Sequence, residues 1–139
     1  MSEQATPAGA RGEVAVLASA ARHYADHGRL EEARDVFAGL IELEPGAPYL
    51  HTGLGCVLMR LGCAGEALEC FRTALRLDVK DVAALAYAGE LSLAQGDEAS
   101  GLGYLDQAIA LDPGGGNPWA LRARSVRARA RGRAGDEGR

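Results

Sequence analysis

The sequence predicts an all-α fold built from repeated helix–turn–helix units. Three observations carry this. Strand formers are scarce: aromatics are 5%, and Ala, Leu, Arg and Glu, all strong helix formers, dominate the chain. The chain repeats itself every 34 residues. Many of its glycines and prolines fall at positions in that period where helices should end or touch.

The register is read from three anchors, "EEARDVF", "GEALECF" and "ASGLGYL". Ala33, Ala67 and Gly101 lie 34 residues apart, and Phe37, Phe71 and Leu105 follow four positions later. Leu40, Ala74 and Ala108 share a further register, as do Pro45, Val79 and Pro113. In the earlier half of each unit Ala21, Gly55 and Gly89 align, as do Tyr24, Leu58 and Ser92, and Gly28, Gly62 and Gly96. The units are 14–47, 48–81 and 82–115. Small residues at Ala21, Gly55 and Gly89, and at Ala33, Ala67 and Gly101, let the two helices of a unit approach closely. Gly28, Gly62 and Gly96 end the first helix, where a left-handed residue is least costly as glycine. "EPGAP", "DVKD" and "DPGGGNP" separate the units. Asn117-Pro118 reads as an N-cap and a first helical residue. A capping helix is expected over 117–133, with Trp119, Leu121 and Val126 facing the core and the arginines facing water. Residues 1–13 and 134–139 read as disordered tails.

A period of this length, with small, aromatic and Pro positions in this order, resembles the tetratricopeptide repeat (TPR). The resemblance covers roughly residues 14–130, and Trp119 sits where the family signature has its tryptophan. Leu17, His51 and Leu85 stand there in the three full repeats. It implies a right-handed superhelix of three repeats plus the cap, with a concave face, built from the first helices, that binds peptides. The groove positions so implied are Ala15, Ala18, Arg22, Ala25 and Asp26 in repeat one. In repeat two they are Tyr49, Thr52, Cys56, Met59 and Arg60. In repeat three they are Ala83, Ala86, Glu90, Leu93 and Ala94. Some family members clamp an acidic chaperone tail with Lys and Asn; the counterparts here include Ala18, Thr52 and Ala86, so the clamp is absent. The groove suits apolar side chains instead.

Within the superfamily, "GLGCVLMRLG" and "AYAGELSLAQGDEASGLGYLDQA" resemble class II chaperones of bacterial type III secretion. Gly89-Glu90-Leu91, Gly96 and Gly101-Leu102 carry that match. The resemblance implies a non-catalytic cytoplasmic chaperone or adaptor that holds an apolar segment of a secreted or membrane-inserting protein. A homodimer through an N-terminal helix is part of the same implication, although the segment before the first repeat is short and polar here. The rival reading is a structural assembly subunit of a secretion, pilus or motility machine, binding through its convex face or its basic last helix.

Charge and composition limit other functions. The net charge is -4, unevenly spread. Residues 1–121 hold 17 acidic and 8 basic side chains, whereas 122–139 hold 7 basic and 2 acidic. An acidic body argues against nucleic-acid binding along its length. No apolar run is long enough to span a membrane, and the N-terminus does not read as a secretory signal.

No residue is expected to be catalytic, and no cofactor or metal is expected. Cys56, Cys63 and Cys70 are spaced C-x6-C, unlike the short pairs of zinc sites. They read as structural or incidental thiols, with Cys56 pointing into the groove. His23 and His27 of "HYADH" share a helix face, but the glutamate of the zinc-protease helix is missing, so they read as surface or groove histidines. "GLGYL" and "PGGGNP" lack the GK[ST] ending of a phosphate loop. Arg122, Arg124, Arg127, Arg129, Arg131 and Arg133 read first as the solvated face of a cap lying against the acidic body, and second as a contact for nucleic acid or an acidic membrane.

Overall fold

The computed structural model describes residues 8–137, and all regular structure among them is helical. The helices are α1 (Ala8–Asp26), α2 (Leu30–Leu43), α3 (Pro48–Arg60), α4 (Ala64–Leu77), α5 (Val82–Ala94), α6 (Glu98–Ala110) and α7 (Pro118–Glu137). They fall into two compact units, with the boundary between Leu77 and Asp78, at the start of the "DVKD" stretch. In the first unit α1 packs on α2, α2 on α3 and α3 on α4. In the second, α5 packs on α6, and α7 packs on both. Among the described residues no helix is long and apolar enough to cross a membrane.

The three helix pairs close in the same way. Gly28, Gly62 and Gly96 have φ of 81°, 83° and 87°. At each, the glycine N–H donates three residues back: Gly28 to Ala25, Gly62 to Met59 and Gly96 to Leu93. The next residue donates five back: Arg29 to Tyr24, Cys63 to Leu58 and Asp97 to Ser92. This is the Schellman closure, which satisfies the last carbonyls of a helix. Nothing lies within 4 Å of a Cβ built at any of the three, so the backbone angle alone demands glycine. Helix starts are capped where the sequence supplies an acceptor. Asp81 accepts from Ala84 N–H, Asp97 from Ser100 N–H, and Asn117 from Trp119 and Ala120 N–H.

The aligned positions form the cores. Phe37, Phe71 and Leu105 are buried, as are Leu40, Ala74 and Ala108, and Ala33 and Ala67 beside them. The expected close contacts are present in the second and third pairs. A Cβ at Gly55 would lie 2.7 Å from Phe71, and one at Gly89 would lie 2.6 Å from Leu105. Gly53 adds an unforeseen contact: its Cβ would lie 2.6 Å from Phe37, so α3 accommodates the aromatic ring of the preceding repeat. His51 is also buried, and its Nε2 lies 2.8 Å from the Pro45 carbonyl, tying α3 to the turn before it.

Two expectations need revision. α7 does not bury Trp119 and Leu121, which are 36% and 50% exposed; it buries Ala120, Ala123 and Val126. The Asn117 cap fixes where the helix starts, and packing sets its rotation: the alanines are small enough for α7 to lie close on α5 and α6. A tryptophan in that seam would hold the helices apart, so its ring sits at the edge of the seam. The helices also run further than the expected tails. α1 takes in residues 8–13, and Arg11 pairs with Glu44 at 3.7 Å. α7 continues through Glu137. Ala8, Ala10 and Arg11 in the first stretch and Ala134 and Glu137 in the second favour helix. Residues 1–7 and 138–139 of the expected tails lie outside the described residues.

Candidate functional site

In the first unit the expected groove residues of α3 form one stripe. Tyr49, Thr52, Cys56 and Arg60 follow at helical spacing along α3, with Met59 beside them. Tyr49 is 45% exposed. Arg60 and Arg22 are exposed, and Thr52, Cys56 and Met59 are half-buried. Arg22 comes from α1. Burial pushes the Tyr49 hydroxyl above its ordinary value, Glu44 adds to that rise, and Arg22 opposes it. Thr52 donates its hydroxyl to the Pro48 carbonyl at 3.3 Å. Ala15 and Asp26 are exposed, whereas Ala18 and Ala25 belong to the core and offer nothing to a ligand.

In the second unit Ala83, Glu90 and Leu93 are half-buried and Ala94 is exposed. Ala86, expected in the groove, is 1% exposed and belongs to the core. Leu93 is partly withdrawn too, since a Cβ on Gly101 would lie 2.7 Å from its Cγ. The stripe instead includes Tyr87, which sequence reasoning missed. Its signal was available: Tyr87 lies four residues after Ala83 and three before Glu90, on the same helical face. Across from it, α7 supplies Trp119, whose ring centroid is 5.2 Å from that of Tyr87, and Arg122, whose guanidinium lies 5.2 Å from the Tyr87 ring centroid. Arg122 Nε donates to Glu90 at 2.8 Å. Below this pair an open cleft of about 410 Å³ lies between α5 and α7, lined by Glu90, Leu93, Ala94, Val126, Arg129 and Arg133 among others.

The basic helix is partly engaged with the acidic helices beside it. Besides the Arg122–Glu90 pair, Arg127 meets Asp106 at 2.9 Å, and Arg124 donates to the Asp112 carbonyl at 2.8 Å.

Cys56, Cys63 and Cys70 are all half-buried. Burial, with Glu66 and Glu69 adding to it, pushes the Cys70 thiol up to about 11, opposite to what a reactive or metal-binding thiolate needs. The His23 and His27 rings lie 4.2 Å apart on an exposed face, with His27 Nδ1 2.9 Å from the His23 carbonyl. Among the described residues no three His, Cys, Asp or Glu side chains are grouped to hold a metal ion.

Paired helices with a large buried side chain against a small residue, a left-handed glycine between them and a 34-residue period define the pattern. The tetratricopeptide repeat family model matches residues 52–116. Residues 52–116 are tetratricopeptide repeats. The fold of the repeat protein is shared with solved structures. The translocator chaperone SycD of Yersinia enterocolitica type III secretion is 24% identical, with a TM-score of 0.72, covering 81% of this chain and 86% of that one. PcrH, known from Pseudomonas aeruginosa, in complex with the chaperone binding region of PopB, is 20% identical with a TM-score of 0.76, covering 90% and 99%. The first TPR of Spaghetti, bound to the HSP90 peptide SRMEEVD, is 20% identical with a TM-score of 0.73, covering 84% and 92%. No curated protein matches the chain in sequence.

Proposed function

We propose that the repeat protein is a non-catalytic interaction module, a cytoplasmic chaperone or adaptor that holds an apolar segment of a secreted or membrane-inserting partner. The observation that carries this reading is the α3 stripe. Tyr49, exposed, offers a large amphipathic face and Met59, half-buried, an adaptable one, with the exposed Arg22 and Arg60 in the same unit. Apolar burial there supplies affinity, and these charges set register. The shared fold with SycD and with PcrH bound to a segment of PopB supports the same reading.

The test is affinity capture from the native host with the wild-type protein and a Tyr49→Ala/Met59→Glu variant, each checked for helicity. The variant should stay folded and lose the partner. Capture of the same partner by both proteins overturns the reading. Arg→Gln changes at 127, 129, 131 and 133 probe the assembly-subunit reading. Loss of binding in that variant, with none in the α3 variant, would favour a role for the basic helix.

A further inference from the structure

The face shared by α5 and α7 is chemically polarised along its length. At one end Trp119 and Tyr87 form an aromatic pair, with Trp119 36% exposed. In the middle Arg122 bonds Glu90, so each takes up the other's charge. At the other end lies the cleft, with Leu93, Ala94, Val126 and Ala130 as apolar lining and Arg129 and Arg133 beside them. These two arginines are one helical turn apart on one face. Among the side chains the structure describes, neither forms an ion pair, unlike Arg122 and Arg127 of the same helix. Glu98, exposed, is the other acid in the lining. Two guanidinium groups beside apolar surface are suited to a carboxylate carried next to apolar chain atoms.

We propose that this face reads a peptide in two places: an apolar side chain against Trp119 and Tyr87, and an acidic side chain in the cleft at Arg129 and Arg133. This rests on the reading of the protein as a peptide-binding module and adds the charge and spacing of the ligand. The spacing follows from helix geometry. Trp119 lies ten residues before Arg129 and fourteen before Arg133, which is about 15–21 Å along α7. An extended peptide covers that distance in about four to six residues. The occupant is therefore a partner segment with an apolar residue and a Glu or Asp at that separation.

Trp119 is the single tryptophan of the chain and lies in the proposed site, so its emission reports binding directly. The probes are capped Gly/Ser peptides with one leucine and one glutamate, separated by one to eight positions, and the same set with glutamine for glutamate. Binding should be strongest at separations of about four to six, and the glutamine set should bind about tenfold more weakly. Arg129→Gln/Arg133→Gln, checked for unchanged helicity, should erase the difference between the two sets. Equal binding of both sets, no dependence on separation, or no emission change up to about 5 mM peptide overturns the proposal. So does arginine-dependent binding of polyuridylate without binding of the peptides. The adaptor reading is tested separately through α3. Partner capture that is lost in the Tyr49→Ala/Met59→Glu variant, with the two peptide sets bound alike, would sink the present proposal and leave that reading standing.

Discussion

The contact between Gly89 and Leu105 gives a prediction whose sign is set by the tertiary structure. In an isolated helix, Gly89→Ala would add about 1 kcal/mol of stability through propensity. Here the new Cβ would lie 2.6 Å from Leu105 Cδ2, 2.7 Å from its Cγ and 3.1 Å from the Gly101 carbonyl oxygen. Favourable carbon contacts lie near 3.5–4.0 Å, so about 1 Å of overlap must be relieved. Leu105 is fully buried and cannot swing into solvent, and the carbonyl belongs to the backbone of α6. Overpacking of this kind costs up to about 3 kcal/mol. The net expectation is a loss of about 2 kcal/mol. Gly103→Ala is the matched control: it lies on α6 with nothing within 4 Å of its Cβ, and should gain about 1 kcal/mol. Urea titration followed by Trp119 emission reads the second unit specifically, because that unit holds the only tryptophan. With a urea dependence near 1 kcal/mol/M, the Gly89→Ala midpoint should fall by about 2 M. A Gly89→Ala protein as stable as the parent, beside a stabilised Gly103→Ala protein, would refute the close helix contact.

Three further outcomes follow from the same structure. Ser92 is 1% exposed, and its hydroxyl has no hydrogen-bond partner among the described residues, so Ser92→Ala should raise stability by about 1 kcal/mol in the same titration; a decrease would mean that the hydroxyl is bonded. Gly62→Ala, forced to φ near 83°, should cost about 1–2 kcal/mol, while Gly65→Ala on α4 should stabilise; equal effects in thermal unfolding would refute the left-handed closure. For Cys70, a thiol raised from 9.0 to about 11 should hold about one-hundredth of the ordinary thiolate fraction at pH 8, so iodoacetamide labelling mapped by mass spectrometry should rise with a midpoint near pH 11. The folded-state value is the raised one, so the stability it contributes is present below about pH 9 and is lost as pH rises through about 11. A labelling midpoint near 9 would contradict burial of that thiol.

Much of the fold was legible in the sequence because its determinants are local or periodic. A left-handed closure needs a residue without a Cβ, so Gly28, Gly62 and Gly96 announced three turns. Asn117-Pro118 announced the start of α7 because a cap and a proline act within one helical turn. The site was less legible. Ala18, Ala25 and Ala86 hold register positions that the family resemblance assigns to a groove, but an alanine fits a core seam equally well, and only the neighbouring helix decides which. Tyr87 was readable from its spacing to Ala83 and Glu90. Its pairing with Trp119 and Arg122 was not, since those residues come from a helix about 30 positions away in sequence.

The sequence by itself determined the helices, the turns between them, the 34-residue register and the pairing of large residues with small ones. These depend on backbone conformations and periodicities that each residue carries wherever it sits. Tertiary structure decided the rotation of α7. There the alanines Ala120 and Ala123, with Val126, fill the seam and the tryptophan is left at its edge, because close packing of two helices admits small side chains where a large one would force them apart. That rotation also decided which arginines meet Glu90 and Asp106 and which two line the cleft between α5 and α7.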